Sequence, residues 1–101
     1  MRSPKKPTDA LPWIQEALRD GNYFPSHHFP KRLSERRIAM ADVHHAVGAA
    51  TDIRPYDGDP VHGGTCWRVS GPDVDEETEI QVGVEAFYDT GRKRAFLCTV
   101  F

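Results

Sequence analysis

The chain has 101 residues, a net charge of −2, and hydrophobic and charged fractions of 39% and 28%, enough for one modest core and too little for two. No apolar run is long enough to cross a membrane, and the opening Met-Arg-Ser-Pro-Lys-Lys-Pro has no signal-peptide hydrophobic region, so a cytoplasmic protein is the expectation. The pI near 6.2 argues against a broad electrostatic footprint for nucleic acid. The halves differ, however: residues 1–50 carry 8 Lys/Arg against 5 Asp/Glu, and residues 51–101 carry 5 against 10. Cys66 and Cys98 fall in separate strand-like runs without metal spacing, and read as buried thiols.

In chain order, residues 1–8 are basic and proline-rich and read as a flexible tail, followed by a single domain over 9–101. Thr8 or Asp9 can cap a first helix, with Pro12 in its first turn. Leu11, Trp13, Ile14, Ala17 and Leu18 give the packed face, and Gly21 ends it. Residues 22–25 read as a connection. Ser26 is the expected N-cap of a second helix that runs to Arg36 or Arg37, and Pro30 sits early in it. A third helix is expected over 40–49 with Val43 and Val47 inward. Beyond residue 50 the period changes to two. Strands are expected over 52–56, 65–70, 78–88 and 94–101, with turn chemistry at Asp57-Gly58-Asp59-Pro60 and Gly63-Gly64, an acidic turn over 71–77, and a hairpin turn at Asp89-Thr90-Gly91-Arg92-Lys93. Ile80, Val82, Val84, Ala86 and Tyr88 share one face of the longest strand, and Trp67 inward with Arg68 outward is the natural choice in its neighbour. The expected architecture is therefore α+β, two to three N-terminal helices on a C-terminal, mostly antiparallel four-stranded sheet.

The second helix carries the motif of most interest. His28, Arg32 and Arg36 recur at i, i+4 and i+8, a ladder along one face, with Phe29 and Leu33 as the apolar stripe beside it. His28-x3-Arg32-x3-Arg36-x-Ile38, followed by Asp42-Val43 and Ala46, resembles the opening of a family of small bacterial domains related to the BrnT, MqsR and RelE toxins. The closing Phe96-Leu97-Cys98-Thr99-Val100-Phe101 is similar to that family's last strand. The chain departs at Arg37, where a small residue is usual, and at Ala39, where Ser or Thr usually caps the third helix. The resemblance implies a RelE/BrnT-like fold and toxin-like cleavage of RNA without metal or other cofactor. It also implies the partners: RNA, and a small antitoxin protein that for MqsR-like relatives often carries a zinc module.

Such cleavage needs a base for the ribose 2′-hydroxyl, a cation for the phosphorane and an acid for the leaving oxygen. Histidine titrates near neutrality, and the arginine fork pairs with phosphate oxygens. His28 is thus the candidate acid/base and Arg32 and Arg36 the candidate phosphate ligands, with Tyr88 or Arg68 completing the site from the sheet. Lys31, Arg37 and Arg68 are candidate RNA contacts. The same ladder reads equally as a structural network, with Arg32 or Arg36 pairing to Asp42 or the acidic strands, and Arg68 as a cross-strand partner of Glu79 or Glu85. No two of the five histidines have zinc-ligand spacing; His44 and His45 point about 100° apart and His62 lies in a turn. A toxin-like endoribonuclease and a non-catalytic protein-binding module on the same fold are the two functions that follow.

Overall fold

The computed structural model describes residues 3–101. Its elements are α1 (Pro7–Arg19), β1 (Tyr23–Pro25), α2 (Phe29–Arg36), α3 (Met40–Gly48), β2 (Asp52–Pro55), β3 (Thr65–Pro72), β4 (Glu79–Asp89) and β5 (Arg92–Val100). The five strands form one mixed sheet in the order β1-β5-β4-β3-β2. The fold is α+β, as the change of period at residue 50 implies. The sheet has one strand more than expected, because residues 22–25 do not merely connect. Tyr23, Phe24 and Pro25 pair in parallel with Ala95, Phe96 and Leu97.

α1 buries Ala10, Trp13, Ile14, Ala17 and Leu18, the i, i+3, i+4 stripe of a helix lying on a core. It begins at Pro7, ahead of the expected caps. Neither Thr8 nor Asp9 caps it, and Pro12 falls in the second turn, on an exposed position. Pro7 and Thr8 therefore belong to the helix and not to a tail. Pro4 is also fixed: it is buried, and its carbonyl accepts from the Thr65 hydroxyl at 2.6 Å. Met1 and Arg2 of the expected tail lie outside the described residues. α3 buries Val43, Ala46 and Val47. Its start lacks a side-chain acceptor at Ala39, but the Ala39 N–H donates to Asp42 Oδ2 at 3.0 Å, which keeps half of a capping box.

Alternation along the strands sorts the sheet into two faces. Trp67, Val69, Ile80, Val82, Val84, Ala86, Ala95, Leu97 and Val100 join the helices in one apolar core. Arg68, Gly83, Glu85, Phe87 and Phe96 point the other way. The β4–β5 hairpin closes through Thr90 and Gly91, both at positive φ (48° and 77°), the signature of a type I′ turn. Between Gly83↔Thr99 and Val84↔Leu97 the register slips, leaving Cys98 as the unpaired residue of a β-bulge.

Candidate functional site on the second helix and the last strand

Phe29 is 1% exposed and Leu33 packs against the same core. These two anchors roll α2 so that Arg32 lies over the end of β5. Arg32 Nε donates to Thr99 Oγ1 at 3.3 Å and its Nη2 to the Val100 carbonyl at 3.3 Å, while Nη1 lies 3.8 Å from Glu35. His28, Lys31, Arg32, Glu35, Cys98 and Thr99 together line an open depression of about 410 Å³. His28 is the exposed N-cap position of α2. The expected cap, Ser26, instead donates its hydroxyl to the Cys98 carbonyl at 2.8 Å, tying the helix entry to the bulge.

The ladder does not stay in one line. Four helical residues advance by about 400°, a drift of about 40° per step, so Arg36 leaves the depression that His28 and Arg32 share. With Arg37 it lines a neighbouring one of about 260 Å³, beside Asp42, Asp73, Glu79 and Phe101. Neither Arg36 nor Arg37 comes within 4 Å of a carboxylate among the described residues. Asp42 is engaged elsewhere: N–H groups of Val74 and Ala39 hold its carboxyl below the usual range.

Tyr88 is not brought to the ladder. It lies on the helix face of β4, joined to the apolar core and edge-on to Trp13 at 6.2 Å. It is five residues along the strand from Gly83, the row of Thr99, or about 16 Å. Arg68 does reach the same side as Arg32. The register sets Arg68, Gly83 and Thr99 in one row across β3, β4 and β5. Its guanidinium stacks 3.8 Å above the Phe101 ring, its Nε is buried without a partner, and it pairs with neither Glu79 nor Glu85.

Tyr56 enters this row from the loop after β2. A Cβ built on Gly83 would lie 3.0 Å from the Tyr56 hydroxyl and 3.2 Å from both the Thr99 methyl and the Phe101 ring. The missing side chain at residue 83 is what lets these three groups converge. Burial, and then Cys98, push the Tyr56 phenol far above its ordinary value, so it stays protonated. Burial likewise raises Cys66, to about 11, and Cys98, so neither thiol is ionised near neutrality. The two cysteines lie on β3 and β5 with β4 between them, about 10 Å apart and beyond reach of a disulfide.

Glu85 sits one row further along the same face, with no exposed surface. Its carboxylate accepts from the backbone N–H groups of Val61 (2.9 Å), His62 (2.9 Å) and Gly64 (2.8 Å), and from His62 Nδ1 at 3.1 Å. Burial raises its pKa, but these four donors outweigh it and the net shift is downward. His62 in turn stacks on Phe87 at 4.3 Å and meets Phe96 and Phe24 edge-on. This staple straps residues 57–64 across the sheet. The available signal was a lone Glu within an apolar strand, its face set by alternation, with a Gly-Gly turn to supply N–H groups.

His44 and His45 have separate partners. His44 Nε2 lies 2.9 Å from the Tyr23 hydroxyl and His45 Nε2 3.3 Å from Glu76. Among the described residues no three His, Cys, Asp or Glu side chains are grouped to hold a metal ion, and no helix is long and apolar enough to cross a membrane. Comparison with models of known families, with curated proteins and with solved structures gives no match.

Proposed function

We propose that the chain is a toxin-like endoribonuclease that holds the RNA backbone on the α2–β5 depression and cleaves it without metal. The observation that carries this is the fixing of Arg32 from below by Thr99 and Val100, which holds its guanidinium at the edge shared with His28, Lys31 and its exposed ion-pair partner Glu35. Arg32 pairs with the non-bridging phosphate oxygens and steadies the charge that develops on the phosphorane. His28, exposed and one turn away, takes the 2′-hydroxyl proton or returns one to the 5′-oxygen. Arg36, Arg37 and Arg68 contact the flanking backbone. Tyr88 has no part, given its place on the helix face of β4, about five residues along the strand from the row of Thr99.

The test is cleavage of a labelled single-stranded RNA by the purified chain with chelator present. The expected products end in a 2′,3′-cyclic phosphate and a 5′-hydroxyl, and His28→Ala slows the reaction by about a hundredfold or more. Cleavage unchanged in both His28→Ala and Arg32→Ala would remove the assignment. A second reading, a non-catalytic binding module, draws on one feature: no described residue hydrogen-bonds the His28 ring to orient it, as an acid–base histidine usually requires. Under that reading RNA or a partner protein binds the depression and no product forms. In the toxin reading a small partner protein covers the same face, and growth arrest on expression is relieved by His28→Ala.

A further inference from the structure

With Tyr88 away from the depression, the Arg68 guanidinium stacked on Phe101 and the Thr99 hydroxyl accepting from Arg32, the sheet side has room for one further neutral donor. Tyr56 has the required chemistry and stands directly behind two residues that line the depression, Cys98 and Thr99. Its ring packs edge-on against Phe101 at 5.5 Å, and its hydroxyl stands over Gly83 next to Thr99, the residue that Arg32 grips. The neighbouring side chain that lines the depression is Cys98, projected by the bulge. The Tyr56 hydroxyl has the Cys98 side chain as its hydrogen-bond partner, a weak sulfur acceptor at the wall of the depression. The loop that follows it is clamped by Glu85, so the ring is held from both ends.

Resting on the phosphate reading of the depression, we propose that Tyr56 is the sheet residue of that site, its hydroxyl donating a hydrogen bond to a phosphoryl oxygen held by Arg32. The ligand is thus a phosphodiester gripped by one cation and one neutral donor. A phenol that stays protonated suits the neutral role, since it donates without adding charge.

The experiment measures affinity of a short labelled oligouridylate for the intact chain at several salt concentrations, in the wild type, Tyr56→Phe, Arg32→Ala and Tyr88→Phe. A hydrogen bond to a charged group is worth enough that Tyr56→Phe weakens binding about tenfold or more. Because a neutral donor releases no counterion, the salt slope of Tyr56→Phe stays that of the wild type, whereas Arg32→Ala loses roughly one phosphate's share. Tyr88→Phe binds as the wild type does. If Tyr56→Phe binds normally while Arg32→Ala does not, Tyr56 is no ligand and the phosphate reading stands. If Tyr56→Phe loses affinity and salt slope together, its role is to support Arg32, and the assignment falls. A wild type that does not bind the oligonucleotide overturns both.

Discussion

Glu85 is a charged side chain with no exposed surface, and such a group persists only where it is fully hydrogen-bonded. Three backbone N–H groups and one imidazole meet that need. Glu85→Ala strands those donors beneath the strap and should destabilise the chain by about 3 kcal/mol, read as a lower denaturant midpoint. The pH dependence has a definite sign. The folded-state pKa of Glu85 lies below its ordinary value, so its contribution is present above the ordinary carboxylate range and is lost as pH falls through the folded pKa. Glu85→Gln should therefore flatten the acid limb of stability without abolishing it, because Asp42 shifts in the same direction. An acid limb identical to that of the wild type would show that the staple is not ionic. None of this is local in sequence: residues 61–64 and 85 meet only once the sheet forms, so His62 reads as a plain turn residue in the linear chain.

At the scale of elements, α2 shows both how much the linear chain reveals and where it stops. Its apolar pair, its late end at Arg36 and the basic ladder are visible as a 3.6 period. The drift of about 80° that parts Arg36 from His28 follows from helical geometry, but its consequence depends on where Phe29 and Leu33 seat the helix. Arg37 is the left-handed C-cap, φ 56°, a conformation that glycine adopts at little cost. Arg37→Gly should raise stability by about 1 kcal/mol, measured by chemical denaturation. If Arg37 also contacts RNA, affinity falls as stability rises; stability and affinity rising together would remove it from the interface. The core strands are legible because β4 alternates Ile80, Val82, Val84, Ala86 and Tyr88 on one side. β1 is not, since it has three residues, ends in proline and gains its identity only from a parallel partner some 70 positions away. Tyr56 is hidden for the same reason, as only the register of Gly83 reveals what stands above it.

For the whole molecule, the sheet divides a packed helix side from a second side on which Arg32, Thr99, Tyr56, Arg68 and Phe101 gather. The acidic turn between β3 and β4 is drawn toward Arg36 and Arg37 by Asp42, which accepts from the Val74 N–H at 3.1 Å. The basic surface is consequently short, and RNA binding should have a shallow salt slope of about −2, as two or three phosphates on a single strand would give. A rival basic surface exists: a depression of about 550 Å³ lies beside α1 with Lys5, Lys6 and Lys93 on its rim. Titration of the isotope-labelled chain with a short single-stranded RNA, followed by amide and side-chain NMR shifts, separates the two most directly. Shifts centred on His28, Lys31, Arg32, Cys98 and Thr99 are the expected result; shifts centred on Lys5, Lys6 and Lys93, or none, would contradict the assignment of the α2–β5 depression as the RNA site.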